Sequence, residues 1–330
     1  MLKLKMLSLF SGIGAFEQAL KNIGVDYELI NFCEIDKYAS KAYCLIHNEN
    51  EEKNLKDVTR INIDNLPNDI DLLTHGSPCQ SFSSVGKQEG GDKGSGTKSS
   101  LMWYSVEIIK HKMPKIVVWE NVKNVLSQKH KHNFDKYINE LDKLGYHSYY
   151  KVINAKDMGV PQNRERIFVI SLLDDKKFIF PQKKQLTKTL KDYIDEKVDE
   201  KYIVPYNNMK NFCSNNEMWS KRTKIKSLDE VANCLVAKGG RTCRTNNYIF
   251  YDIEDYNRCQ YENNEVLKII NEGYKIRALT PKEYFRLMGF TDEQFEKVNG
   301  KISDAQLYKQ AGNSIVVNVL EAIFKNLFKD

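Results

Sequence analysis

The sequence predicts an α/β fold around a parallel-rich sheet, with a second, less regular module inserted late in the chain. Three observations carry that expectation. Over the first 175 residues, short β-branched apolar runs alternate with longer amphipathic ones, the pattern of strands joined by helical crossovers. From about 185 to 275 the rhythm is lost, and Lys, Asn and Asp predominate. The 330 residues also exceed the roughly 100 to 200 that one domain commonly uses.

Strands are expected at 4–10, 27–33, 71–75, 115–120 and 166–173, and helices at 15–22, 36–47, 101–111 and 133–144. Such alternation places helices on both faces of the sheet. The middle region offers only short apolar pieces, at 202–205 and 248–251. After it, Thr280 and Pro281 read as an N-cap and a first-turn proline, opening an amphipathic helix that ends near Gly289. A last helix at 314–328 is apolar enough to pack back on the first domain. The domain expectation is therefore a first domain at 1–184, completed by 306–330, and a second at 185–305. Residues 81–100 hold five glycines and six serines, the composition of a mobile loop.

Composition narrows the function classes. With 41% hydrophobic and 28% charged residues, the chain is neither a disordered tail nor a collagen-like fibre. No run approaches the roughly 18 apolar residues of a membrane span, so no membrane partner is expected. The basic, apolar start MLKLKMLSLFSGIG reads as strand and turn rather than as a cleaved leader. Seven cysteines, an odd number without a CxxC pair, suggest reduced thiols, no metal site and a cytoplasmic location. A net charge of +6 permits a nucleic-acid partner without requiring one.

Chemistry concentrates at the expected strand ends. Gly12 and Gly14 lie between a strand and a helix, where a nucleotide-like ligand meets an α/β sheet and glycine permits close backbone approach. Position 17 is Glu17, so the full dinucleotide fingerprint is absent. Glu34, about 20 residues on, can accept the two hydroxyls of a ribose, or simply sit solvated at a helix start. Cys79 follows a strand within Gly76-Ser-Pro-Cys and opens the glycine-rich loop. Flanked by Pro78 and Gln80 it is badly placed for core packing, and nucleophile is the sharper reading. Glu120, at the end of the next strand, falls on the same rim. A thiol beside a proton-holding acid suits attack on a conjugated heterocycle with protonation of its ring nitrogen. Arg164 and Arg166, at i and i+2 on an extended segment, are expected to reach that rim together, the alternative being an ion-pair network with Glu165.

Six segments in order now give a resemblance. FSGIG at 10–14, Pro-Cys-Gln at 78–80, Glu-Asn-Val at 120–122, QNRERIF at 162–168, RALTPKEYFRLMGF at 277–290 and QAGNSIVVNVL at 310–320 resemble the ordered motifs of the C5-cytosine-specific DNA methyltransferases of bacteria and phages. The likeness covers nearly the whole chain outside 185–275. It implies a Rossmann-like S-adenosylmethionine-dependent domain with a smaller, irregular target-recognition domain. By the same likeness Phe10 lies against adenine, Glu34 binds the ribose and Asp57 nears the adenine amino group. Asn313 and Ser314 close that pocket, and Ser11 and Pro78 complete it. Ile35 stands where the family often has a stacking aromatic, and an isoleucine still covers one face.

The resemblance further implies that Cys79 attacks C6 of a cytosine extruded from double-stranded DNA, because a stacked ring cannot admit reactants on both faces. Glu120 engages N3 and the amino group, and Arg164 and Arg166 hold the flipped nucleotide. The loop at 81–100 closes over the DNA, with Gln80 and Ser83 as contacts. The unmatched region corresponds to target recognition. Its window 210–244 carries eight Lys/Arg against three acids, and Lys224, Arg241 and Arg244 are the candidate contacts. A monomer is expected, and a cognate restriction endonuclease is a candidate partner. Two other readings stay open. One is the family's tRNA-methylating branch, which shares Pro-Cys-Gln and Glu-Asn-Val but carries a downstream Cys-Phe-Thr motif that this sequence lacks. The other is a catalytically silent relative, which has no chemical need for Cys79 or Glu120.

Overall fold

In the computed structural model, which describes residues 3–82, 89–205, 224–240, 247–251 and 275–328, the chain divides into two compact units. The first comprises 1–154, 165–182 and 319–330, and the second 155–164 and 183–318.

The first unit is built on a six-stranded sheet. Its strands are β1 (Leu4–Leu9), β2 (Tyr27–Cys33), β3 (Leu72–His75), β4 (Ile116–Val122), β5 (His147–Asn154) and β7 (Glu165–Leu172). The spatial order is β2-β1-β3-β4-β7-β5. The four strands β2, β1, β3 and β4 pair in parallel, while β7 runs antiparallel to both β4 and β5. Parallel neighbours need crossovers, and α1 (Ala15–Asn22), α2 (Lys37–His47) and α3 (Met102–Lys112) lie in them; α4 (Lys131–Lys143) follows β4. The chain leaves β1 toward β2 on one side and returns to β3 on the other. The carboxyl ends of β1 and β3 therefore bound a topological switch point, where open α/β sheets bind ligands.

The initial segment, with its deceptive apolar run, is a sheet-interior strand flanked by β2 and β3. Trp119, Phe134, Tyr137 and Leu73 anchor the core between the sheet and α3 and α4. The expected boundaries of β2 and α1 are met, and Asp36 caps α2 by accepting from the amides of Tyr38 and Ala39. One strand went unpredicted. In β5 apolar and polar residues do not alternate cleanly, and Tyr150 is exposed, as suits an edge strand.

The second unit carries shorter elements: β6 (Gln162–Asn163), β8 (Lys224–Ile225), β9 (Ala232–Asn233), β10 (Asn247–Phe250) and β11 (Ile276–Ala278). It also holds α5 (Pro281–Leu287), α6 (Asp292–Glu296) and α7 (Asp304–Asn313). The expected cap of α5 is a full capping box between Thr280 and Glu283. Glu283 also makes a buried ion pair with Arg277, 2.8 Å away. The helix expected at 314–328 starts later, as α8 (Val317–Phe328). Residues 306–318 fall in the second compact unit and 319–330 in the first. The cause is α7, whose Tyr308 donates to Leu279 O at 2.6 Å and meets Tyr284 edge to face. From 319 onward α8 serves the first unit, with Phe324 against Phe16 and Glu321 accepting from Asn22.

Candidate active site

Four strand ends of the first unit carry the predicted chemistry. After β1 the chain turns sharply: Phe10, Gly12 and Gly14 all have positive φ, at 54°, 57° and 79°. Ser11 holds this turn, its N–H donating to Cys33 O (3.0 Å) and its hydroxyl to Ser8 O (3.0 Å). The turn presents Gly12 N–H to Glu34 Oε2 at 2.9 Å, and Asp36 N–H donates to the other carboxylate oxygen at 2.8 Å. The main chain of Glu34 is clasped in turn by the Asn54 amide. The carboxylate is thus oriented before any ligand arrives.

The two glycines differ. A Cβ on Gly12 would meet nothing within 4 Å, whereas one on Gly14 would run into the His47 ring. The direction of a side chain is therefore open at Gly12 and taken by His47 at Gly14. Beneath the turn, buried Glu17 accepts from Tyr43 OH at 3.0 Å, and burial pushes its carboxyl above the ordinary range. An exposed Ile35, a half-buried Phe10 and the oriented Glu34 beside an open glycine form a set that fits an adenosyl group, a flat aromatic heterocycle joined to a diol. Asp57 caps the 3₁₀ turn Val58–Arg60 through Thr59, whose bonds hold its carboxyl below the usual range.

Past β3 the chain forms the turn bearing Pro78 and Cys79, closed by Phe82 N–H donating to Cys79 O at 2.9 Å. Cys79 is half-buried and unbridged, and Gln80 is exposed. Ser77 ties this turn to β4. Its hydroxyl accepts from Trp119 Nε1 at 3.0 Å, and its carbonyl from Asn121 Nδ2 at 3.2 Å. Glu120 lies between those two donors in β4, nine-tenths buried, with Arg166 Nε 3.2 Å from its Oε1. That pair is the diagonal contact of an antiparallel ladder, since Glu120 pairs Phe168 and Val122 pairs Arg166. A charge-assisted contact of this kind fixes which way the carboxylate points.

Arg164 behaves otherwise than expected. It lies in the second unit, 3% exposed. Its guanidinium donates to the carbonyls of Leu235 (2.9 Å), Gly312 (3.0 Å) and Ser314 (2.7 Å). Alternation fails because the extended segment is two strands, β6 and β7, with Arg164 at the break. Glu165, the centre of the alternative ion-pair reading, contacts Lys123 at 3.1 Å.

Part of the glycine-rich loop is anchored rather than open. Gly90 N–H donates to Ser81 O, Trp103 Nε1 to Gly91 O, and a Cβ on Gly91 would meet the Phe82 ring at 2.4 Å. Close packing, and not only mobility, requires glycine there. Asn313 and Ser314 end α7 in the second unit. Lys224 opens β8; Ser83, Arg241 and Arg244 lie outside the described residues. Sequence reasoning missed Ser77, Trp119, Asn121 and His47. For the middle two, their places on either side of Glu120 in a strand were the available signal.

Comparisons with known proteins agree on one family. A family profile described as C-5 cytosine-specific DNA methylase matches residues 4–329. The type II methyltransferase M2.ScrFI of Lactococcus lactis subsp. cremoris is 37% identical over 322 residues, covering 94% of this chain and 81% of that protein. The type II methyltransferase M.HhaI of Haemophilus parahaemolyticus is 34% identical, covering 98% and 94%. Among solved structures, the Entamoeba histolytica methyltransferase EhMeth shares the fold with a TM-score of 0.77 at 21% identity, covering 100% of this chain and 99% of its own.

Proposed function

The chain belongs to the C-5 cytosine-specific DNA methylase family and is a DNA (cytosine-5)-methyltransferase, and from that premise we propose a mechanism centred on Cys79. The substrate is a cytosine extruded from duplex DNA, since only an unstacked ring is open on both faces. The Cys79 thiolate adds to C6, and the displaced electron pair gathers at C5. Glu120, aimed by Arg166, engages N3 and the exocyclic amino group and stabilises that charge shift. When bound, S-adenosylmethionine would offer C5 an electrophilic methyl, its sulfonium sulfur leaving as the neutral thioether of S-adenosylhomocysteine. Loss of the C5 proton then expels the thiolate and restores the ring.

For the methyl donor, the residues to hold it are Phe10, Ser11, Gly12, Gly14, Glu34, Ile35, Asp57 and Pro78, and the family resemblance adds Asn313 and Ser314. Glu34 accepts the ribose hydroxyls, the role for which its two backbone donors orient it. Target choice resides in the second domain, 185–305, where Lys224, Arg241 and Arg244 are the candidate DNA contacts, with Gln80 and Ser83 contributed by the catalytic loop. The protein works as a cytoplasmic monomer with reduced cysteines, and a cognate endonuclease is the natural partner of a type II enzyme.

The observation that carries this reading is the joint attachment of the Cys79 turn and the Glu120 carboxylate to one strand rim. Transfer of radiolabel from S-adenosylmethionine to duplex DNA, with tRNA in parallel, tests it. Label in DNA alone is expected. Label in tRNA alone assigns the chain to the other branch, and label in neither makes it a silent relative. Bisulfite sequencing of a plasmid from expressing cells then names the site.

A further inference from the structure

Side chains of a strand alternate between its two faces, so Trp119 and Asn121 project away from the face that carries Glu120. On their own face both reach the same residue, Ser77, two positions before Cys79. The ladder between β3 and β4 ends at the pair His75 and Trp119. Beyond it the chain bends into the Cys79 turn, and the bonds at Ser77 continue the connection to β4.

The indole that donates to Ser77 is itself immobile. Trp119 is fully buried and stacks on His75 with ring centroids 5.8 Å apart and an interplanar angle of 6°. Tyr137 and Phe134 flank it at 4.3 Å and 6.0 Å, and His75 Nε2 lies 2.9 Å from Tyr137 OH. A rigid donor of this kind selects one place for its acceptor, because a displaced Ser77 would leave a buried N–H unpaired.

We propose that Ser77 and Trp119 are positioning residues for the methyl-transfer reaction, their hydrogen bond setting the Cys79 turn in register with the strand that carries Glu120. The inference rests on the reading of Cys79 as nucleophile. Strand alternation gives it physical form: Glu120 serves the substrate from one face while its neighbour holds the nucleophile's turn from the other.

Ser77→Ala, Trp119→Phe and the double variant test it, the second keeping aromatic bulk in the cage. The readouts are the rate of covalent trapping by a duplex containing 5-fluorocytosine at saturating DNA, the KM for S-adenosylmethionine, and the thermal unfolding midpoint. Each single variant is expected to slow trapping about tenfold, within the roughly 10² that a 1 Å misplacement costs, with KM unchanged. The double variant is expected to be slowed no more than Ser77→Ala alone, because the Trp119 bond is common to both changes and the longer contact from Asn121 Nδ2 to the Ser77 hydroxyl (3.4 Å) is already lost with the serine. Trapping at the wild-type rate, or losses that multiply in the double variant, overturns the proposal; so does a lowered midpoint with normal trapping. Cys79→Ser separates the two levels: if it still transfers methyl, the nucleophile reading fails, whereas an inactive Cys79→Ser with a normal Ser77→Ala defeats only this inference.

Discussion

The His47 imidazole fills the place where a side chain on Gly14 would begin, since a Cβ there would stand 2.1 Å from Nε2. That nitrogen is 2.9 Å from Ile13 O, and Lys21 Nζ is 3.4 Å from Nδ1. The ring therefore carries its proton on Nε2, donates to the turn above it and accepts from the lysine. Gly14→Ala is expected to displace the ring and loosen the turn, costing about 1 to 3 kcal/mol as overpacking does, and to weaken S-adenosylmethionine binding. In a His47→Ala background the same substitution is expected to cost less, because the obstruction is gone. Thermal unfolding and calorimetry of the four proteins check this; equal losses in both backgrounds would show that backbone strain alone is responsible.

At the catalytic rim the expected losses are larger. Cys79→Ser is expected to abolish both methyl transfer and trapping by 5-fluorocytosine while DNA binding survives, because a hydroxyl is a far weaker nucleophile than a thiolate at neutral pH. Glu120→Gln keeps the shape but not the charge or the acid. It is expected to slow transfer by on the order of 10², and a near-normal single-turnover rate would make Glu120 a partner for Arg166 and nothing more.

How much of this was legible in the sequence depends on how local each signal is. Helix α1 announces itself by apolar residues at helical spacing, and strand β2 by a short, mostly apolar run. Strand β5 does not, being an edge strand whose outer residues face solvent. Nor does the break near Ser314: its carbonyl accepts from Arg164, a partner 150 positions away. Cys79, Glu120 and Glu34 are visible because strand ends in an α/β sheet share a rim. The divergence of Arg164 from Arg166 is invisible, because i and i+2 face one way only along a single strand. Ser77 is the clearest case, ordinary in sequence and given meaning only by the indole across the ladder.

His75 provides a pH test of the aromatic cage. Complete burial lowers its imidazole from the ordinary 6.5 to about 3. The folded state therefore keeps it neutral while the unfolded chain takes up a proton below about pH 6.5. Its contribution to stability is full above that value and is lost progressively as pH falls toward 3. His75→Gln, which retains a polar partner for Tyr137 OH, is expected to flatten the fall of the unfolding midpoint between pH 6.5 and 4. A slope identical to that of the unaltered protein would place the acid sensitivity elsewhere.

The two arginines of QNRERIF make different predictions. Arg166 stands beside Glu120 with part of its side chain open to solvent. Arg166→Ala is expected to slow methyl transfer at least about tenfold through the misdirected carboxylate, and to cost stability by up to roughly 3 kcal/mol, because Glu120 is nine-tenths buried and loses a charged partner. Arg164 is buried and satisfies three carbonyls, from Leu235, Gly312 and Ser314, all within the second unit. Gly312 is itself committed there, since a Cβ on it would meet the Val236 main chain at 2.3 Å. Arg164→Ala leaves those carbonyls without their donors and is expected to cost on the order of 3 kcal/mol, and Arg164→Lys most of that, because an ammonium cannot reproduce the fork. Parallel thermal unfolding and single-turnover assays decide between the roles. If Arg164→Ala unfolds at the normal temperature and loses only catalysis, the assignment of Arg164 to structure is wrong, and the expectation that both arginines serve the flipped base returns.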